Sequence, residues 1–441
     1  MKNTVCFINL GCPKNLVDSE VMGAELMASG YEVIDQPERA DVVVINTCGF
    51  IDAAKEESLD EIFSHLGRGR GRLVVSGCLA QRYADELQRE IPEIGGMVGV
   101  NDLAEIPTVV RGALAGRRLV RVSPSGDALA LSDGSRRRRQ TPRHFGYVRI
   151  AQGCSRLCHF CAIPAIRGPY RSKEPELIFA ETRALVSDGA REVVLIAQDT
   201  TRYGLDIPGA DVGLASLLWD LSRRFPEIWF RLMYAHPAGI DDDLLEVIRE
   251  RDNICDYLDI PLQHISPEVL RRMGRSEDPA LVRRTLERIR AQVPDISLRS
   301  AFIVGYPQET EEDFRLLLDF VAGGSFDHVG VFAYSREEGT RAHSLPGQVG
   351  RSEKQRRRNQ LVRAALRRSR EVKERLVGSI LPVLIDGTEE GNVLGRHQGQ
   401  APEVDGYVFL GRDSSARIGE VVPVEITGAD SVDLWGRILH C

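Results

Sequence analysis

The 441-residue sequence contains no run of about eighteen apolar residues, so no segment is expected to span a membrane. Its start, Met1 to Glu20, holds a short apolar strand followed by charges. It lacks the long apolar core and small-residue cleavage site of a secretory leader. Cysteine is scarce for a disulfide-built protein: there are nine in the whole chain, and they cluster. Neither charge sign dominates, with 57 Lys and Arg against 64 Asp and Glu for a net charge of −7. These absences leave an ordinary globular protein long enough for two or three domains. It is expected in the cytoplasm, where thiols stay reduced and can hold metal.

Against that plain background one stretch stands out, Gly153-Cys154-Ser155-Arg156-Leu157-Cys158-His159-Phe160-Cys161-Ala162-Ile163-Pro164. Three cysteines at spacing C-x3-C-x2-C can turn three thiolates toward one point. This suits a cubane iron–sulfur cluster whose fourth iron has no protein ligand, whereas four-cysteine ferredoxin runs satisfy every iron. A tetrahedral zinc site would want a fourth Cys or His. His159 is the nearby candidate, but its position directly beside Cys158 makes ligation by both awkward.

Residues 1–115 alternate strands and helices. Thr4–Leu10, Asp41–Asn46 and Arg72–Ser76 read as strands, and Asn15–Ser29, Ile51–Leu66 and Ala80–Ile91 carry helical periodicity. The pattern predicts a doubly wound α/β domain with a mostly parallel sheet. Cys12, Cys48 and Cys78 each fall just past a strand's carboxyl end, the rim where such sheets bind ligands. They are either three small buried hydrophobes or a second three-cysteine cluster site, and their shared topological address favours the cluster. Residues 116–143, rich in Ser, Gly and Arg with the run Arg136–Arg139, read as a solvated linker.

From 144 to 375 the pattern is again strand then helix. Tyr147–Ala151, Glu192–Ala197, Trp229–Met233, Tyr257–Pro261, Ser297–Val304 and His328–Ala333 are the expected strands, which suggests an open (β/α)6 partial TIM-type barrel. Chemistry in such barrels sits at strand carboxyl ends, and polar motifs fall there: Gln198-Asp199 after the second strand and Gln263-His264 after the fourth. Gln198, Asp199, Gln263 and His264 are therefore cofactor-binding candidates. His236 and His264 are each more plausible as hydrogen-bonded core residues than as bases, and no catalytic residue is singled out. The Arg- and Lys-rich segment 354–375 reads as a long helix with a solvated face.

Residues 376–441 change to short β-like runs broken by Gly and Asp, as in a small antiparallel β-barrel. Ten acidic residues lie between Asp386 and Asp433, against Arg396, Arg412, Arg417 and Arg437. An acidic barrel fits a basic protein partner better than a phosphate backbone, although it also fits a barrel that only packs on the body. Cys6, Cys255 and Cys441 read as structural or incidental.

At the Cys154–Cys161 loop, with Phe160 before the last cysteine, the sequence resembles the radical S-adenosylmethionine superfamily. Over nearly its whole length it resembles the methylthiotransferase family, built from a three-cysteine N-terminal domain, a radical S-adenosylmethionine barrel and a C-terminal TRAM barrel. Asn9-Leu10-Gly11-Cys12-Pro13-Lys14-Asn15-Leu16-Val17-Asp18-Ser19-Glu20, Gln198–Gly204 and Tyr257–His264 look like the RimO branch; Gln308 departs from it, where the family often has Gly. The resemblance implies two 4Fe-4S clusters, on Cys12, Cys48 and Cys78 and on Cys154, Cys158 and Cys161, with S-adenosylmethionine at the second. It implies methylthio transfer to the β-carbon of an aspartate in the basic ribosomal protein uS12, free or within the ribosome. It also implies an electron donor such as a flavodoxin, and a sulfur donor. Within the family the alternative is a tRNA adenosine methylthiotransferase, opposed by Pro13-Lys14 and the acidic barrel, so tRNA is not the expected partner. Outside it the alternative is a non-catalytic, metal-bearing RNA-binding protein.

Overall fold

A computed structural model describes residues 2–68, 71–125, 136–209, 212–275, 278–324, 326–411 and 416–439. Arg412, Asp413 and Cys441, weighed above from the sequence, lie outside them. The chain divides into two compact units. The first comprises Met1–Thr141, Tyr147–Ala184 and Ser335–His343, and the second comprises Pro142–Gly146, Leu185–Tyr334 and Ser344–Cys441. The cysteine loop of residues 153–164 thus belongs to the same compact unit as residues 1–115.

The first unit is built on a parallel sheet of β1 (Thr4–Asn9), β2 (Glu32–Ile34), β3 (Val42–Thr47), β4 (Arg72–Gly77), β5 (Gly96–Val98) and β6 (Leu119–Arg121), in the order β2-β1-β3-β4-β5-β6. Its central strand β3 is buried along its whole length, and its apolar run Val42–Ile45 follows from being covered on both faces. Val43, Ile45, Leu73 and Val75 pack to one side with Ile62 and Leu87. Those two come from α2 (Asp52–Gly67) and from α4 (Ala84–Glu90), which follows α3 (Cys78–Arg82). Val42, Val44 and Val74 pack to the other side with Met22 and Leu26 of α1 (Pro13–Ala28) and Val109 of α5 (Ile106–Leu114).

Three short strands and α5 were not foreseen, and the expected helix over Ala80–Ile91 breaks at Tyr83, which leaves helical geometry at φ −131° and ψ 34°. The arginine run is not simply solvated. Arg137 donates to the Tyr147 carbonyl at 2.8 Å and lies 3.5 Å from buried Glu20, and Arg138 pairs with Asp35 at 2.8 Å. A guanidinium reaches far enough to bury its stem and satisfy its head on a neighbouring carboxylate. Two further short elements, β8 (Ala151–Gln152) and β9 (Arg171–Ser172), pair antiparallel and bracket the cysteine loop and helix α6 (Ile163–Arg167).

The second unit carries a sheet of order β14-β13-β12-β11-β10-β7. Its strands are β7 (Phe145–Arg149), which starts in this unit, β10 (Glu192–Ile196), β11 (Trp229–Leu232), β12 (Ile254–Asp259), β13 (Ser297–Val304) and β14 (His328–Ala333). The strands β10 to β14 run parallel to one another. Helix α7 (Pro175–Ser187), most of which belongs to the first unit, precedes β10 in the chain. Helices α8 (Leu214–Arg224), α9 (Asp242–Glu250), α10 (Pro267–Arg272), α11 (Pro279–Gln292) and α12 (Glu311–Ala322) intervene between the later strands, so the expected open β/α pattern is present. Gln308 takes φ +63°, its side chain donating to the Pro346 carbonyl at 3.3 Å. A glycine would hold that left-handed turn without strain.

Helix α13 (Arg351–Glu374) is charged but not solvated all round. Arg357 is buried against Glu309 at 2.8 Å, and Lys373 is buried beside Ser369 at 2.7 Å. The C-terminal strands β15 (Ile380–Glu389), β16 (Asn392–His397), β17 (Val408–Phe409), β18 (Val421–Ala429) and β19 (Leu434–Ile438) close into a barrel of order β15-β16-β17-β19-β18. All pairings are antiparallel except β17 with β19. Two of its acids do not face a partner. Asp386 binds His144 at 2.8 Å and Arg396, and Asp405 accepts from Tyr257 at 2.6 Å. Among the described residues no helix is long and apolar enough to cross a membrane.

Candidate functional site

Both cysteine triplets lie in the first unit. Cys12 stands at the N-terminus of α1, extended at φ −91° because Pro13 begins the helix. Cys48 follows β3, and Cys78 follows β4 and opens α3. Asn15, one turn into α1, gathers this rim. Its amide donates to the Thr47 carbonyl at 2.9 Å, and its Oδ1 lies 3.9 Å from Cys12 Sγ and 3.6 Å from Cys78 Sγ. None of the eight described cysteines is in a disulfide. Burial pushes the Cys48 thiol up to about 12, and the nearby Cys78 and Cys12 add to the rise. Cys78 is raised for the same first reason, with Arg167 pulling against it. The Cys48 and Cys78 thiols, which resist ionising, are donors that a cation must stabilise as thiolates.

Glycine geometry sets this rim. Gly77 has φ +93°, and a Cβ there would meet the Thr47 carbonyl oxygen at 2.5 Å, as well as the Asn46 side chain. Gly77→Ala is therefore expected to lower unfolding stability by more than about 2 kcal/mol. It should also reduce iron retained on reconstitution, because Cys78 is the next residue; urea unfolding and iron analysis check both.

In the second triplet, the Cys161 N–H donates to the Cys158 carbonyl at 3.2 Å, so these two share one turn. The Cys154 N–H donates to the Gly168 carbonyl at 3.0 Å. Gly153 (φ +76°) lies so near Pro169 that no Cβ would fit. Leu157 is 69% exposed, and the three cysteines are half-buried. His159, the zinc alternative's fourth ligand, instead accepts the Ala342 N–H on its carbonyl at 2.9 Å and lies 3.3 Å from Arg341 through Nε2.

The two triplets are tied together. Cys78, Ala162 and Ile166 share one small apolar cluster with Val100, and Ala162 is the residue after Cys161. A second tie runs from Gly49, whose carbonyl accepts from Arg82 at 2.9 Å, to buried Glu337. Glu337 pairs with Arg82 at 2.7 Å and Lys55 at 3.0 Å, and it sits in the segment that carries Ala342. Among the described residues no three Cys, His, Asp or Glu side chains meet closely enough for a single metal ion. In a cubane each thiolate takes a different iron, so three ligands need not converge on one atom. Both donor sets fit that kind of group.

In the second unit, Gln198 and Asp199 follow β10, and Gln263 and His264 follow β12, with β11 between them in the sheet. Both polar atoms of the Gln198 amide are buried without a hydrogen-bond partner, which marks it as ready for a ligand group. Asp199 accepts from Thr201 Oγ1 at 2.6 Å. Gln263 adopts φ +70°, and its backbone bridges to β13 through Ala301 and Ile303. His264 is fully buried, and its Nδ1 accepts the Ser266 N–H at 2.9 Å. Burial drops its pKa to about 3, so the ring is neutral. His236 is likewise engaged, with Ala238 at 3.3 Å and Arg275 at 3.2 Å. Arg167 and Asp18, which lie at the first triplet, were not foreseen as site residues.

This assembly is that of a radical S-adenosylmethionine protein with an extra cysteine-bearing α/β domain. Residues 148–321 match the radical SAM superfamily, 4–99 the uncharacterized protein family UPF0004, and 377–439 the TRAM domain. The chain is 43% identical to the ribosomal protein uS12 methylthiotransferase RimO of Geobacter sulfurreducens, covering 99% of each. It is 45% identical to that of Symbiobacterium thermophilum, covering 98% of this chain and 90% of the relative. The radical S-adenosylmethionine methyltransferase TsrM from Kitasatospora setae shares the fold at TM-score 0.57 and 16% identity, over 95% of this chain and 82% of its own. The chain belongs to the RimO family of uS12 methylthiotransferases.

Proposed function

We propose that the protein adds a methylthio group to the β-carbon of an aspartate in ribosomal protein uS12, with a reductant and a sulfur donor supplied by other proteins. The observation that carries this reading is the joining of two cysteine triplets in one compact unit through Cys78, Ala162 and Ile166. Cys154, Cys158 and Cys161 would hold one 4Fe-4S cluster, and Cys12, Cys48 and Cys78 the other. Together with S-adenosylmethionine these groups supply the radical and sulfur chemistry that opening an unactivated C–H bond beside a carboxylate demands.

The chain's own part is positioning. The Gly153 turn and the Cys158–Cys161 hydrogen bond preset one triplet, and Asn15 presets the other. The orphaned Gln198 amide offers a donor and an acceptor to the polar groups of S-adenosylmethionine; Asp199 follows the same strand, β10, and Gln263 and His264 follow β12. The excess of acids on the C-terminal barrel, less Asp386 and Asp405, suits a basic protein substrate better than tRNA.

The test offers reconstituted enzyme, S-adenosylmethionine and reductant a peptide of the uS12 loop and, separately, bulk tRNA, each read by mass spectrometry. A methylthio mass gain is expected on the peptide's aspartate. A gain on tRNA alone would overturn the substrate.

A further inference from the structure

At the first triplet a charged group stands where the sequence suggested only cysteines. Arg167 ends α6, six residues beyond Cys161, and is 1% exposed. Its Nη2 donates to Asp18 at 2.9 Å and to Asn15 Oδ1 at 2.7 Å, and lies 3.5 Å from Cys78 Sγ. Arg149, also buried, pairs with the other oxygen of Asp18. Two guanidinium groups on one carboxylate leave one net positive charge buried beside the thiols. The remaining terminal nitrogen of Arg167, Nη1, is buried with no partner. An unpaired buried guanidinium nitrogen is costly unless an anion is there to take it.

An oxidised cubane held by three thiolates carries one net negative charge. Cluster potentials respond to net charge, hydrogen bonds to sulfur and burial. We propose that Arg167, held by Asp18 and Asn15, is a positioning residue that sets the reduction potential of the cluster on Cys12, Cys48 and Cys78. It does so by bonding to the Cys78 sulfur and balancing the cluster's charge. The inference rests on the auxiliary-cluster reading above. It makes Asp18 the opposing element, since Asp18 offsets part of the positive charge that favours the reduced, more negative cluster.

The test uses the full chain with Cys154, Cys158 and Cys161 replaced by alanine, so that only the auxiliary cluster remains. Iron content first establishes that cluster; failure to bind iron in this parent would overturn the cluster reading itself. The midpoint potential is then followed by electron paramagnetic resonance in redox titration. Arg167→Met is expected to disfavour reduction at least tenfold, about 59 mV lower for one electron, and Arg167→Lys to recover part of the shift. Asp18→Asn is expected to shift the potential upward, and it carries the test if Arg167→Met loses its iron. Unchanged potentials in iron-loaded variants, or shifts of the same sign in Arg167→Met and Asp18→Asn, would overturn the proposal. Loss of iron in both would reduce the triad to a structural ion cluster and overturn it equally.

Discussion

Cys158→Ala is expected to lower formation of 5′-deoxyadenosine from S-adenosylmethionine by at least about 10³-fold, roughly 4 kcal/mol of lost catalysis. Iron per chain should fall from about eight to about four. The size of the effect follows from the ligand count. A three-cysteine site has no spare thiolate, and His159 beside it is held by Ala342 and Arg341. Cys48→Ala should behave differently. It removes a ligand at the other triplet, so cleavage of S-adenosylmethionine should persist while methylthio transfer to the uS12 peptide disappears. Liquid chromatography of 5′-deoxyadenosine and mass spectrometry of the peptide separate the two outcomes. Transfer retained by Cys48→Ala would sink the division of labour between triplets, and cleavage retained by Cys158→Ala would place the cofactor elsewhere.

Much of this site was legible because cysteine carries its chemistry in its spacing. The C-x3-C-x2-C loop needs no fold to be read. Cys12, Cys48 and Cys78 became readable once the strands before them were placed from runs such as Val42–Ile45. What escaped was either short or charged. Strands β2, β5 and β6 have three residues each, too few to show a period of two. Strand β19 is interrupted by Gly436, which reads as a turn signal although the strand pairs with β18 across it. Arg167 and Asp18 were passed over because charged residues are ordinarily at the surface. Their burial depends on each other and on Arg149, from three separate segments of the chain. The one local signal was position: Arg167 follows the cysteine loop by a single turn and a half of helix, too short to carry it away.

The same kind of hidden charge holds the C-terminal barrel. Arg396 on β16 is 1% exposed, with Nε 2.7 Å from Asp386 and Nη2 2.7 Å from Glu192 of β10. Glu192 is also paired with Arg231 at 2.6 Å, and Asp386 with His144 at 2.8 Å. Removing one member of such a network leaves buried charge without its partner, a loss of about 3–5 kcal/mol, whereas replacing members together costs far less. Arg396→Met is therefore expected to lower the melting temperature of the second unit's transition by about 10 °C. Glu192→Gln/Arg396→Met should recover part of that loss, giving a positive coupling in the double-mutant cycle. The pH dependence has a definite sign. Burial alone would raise Glu192 and Asp386, but Arg396 and Arg231 hold Glu192, and His144 and Arg396 hold Asp386, below their ordinary values. Depressed carboxylate pKa values contribute stability that is present above the unfolded-state pKa and lost as pH falls through the folded one. Without Arg396 both values rise, so the stability gap between parent and variant should be widest near neutral pH and should narrow as pH falls through the parent's carboxylate range. Calorimetry from pH 7 downward reads both effects. A variant melting within about 2 °C of the parent, with the same acid limb, would show that the barrel is held by its apolar contacts and not by Arg396.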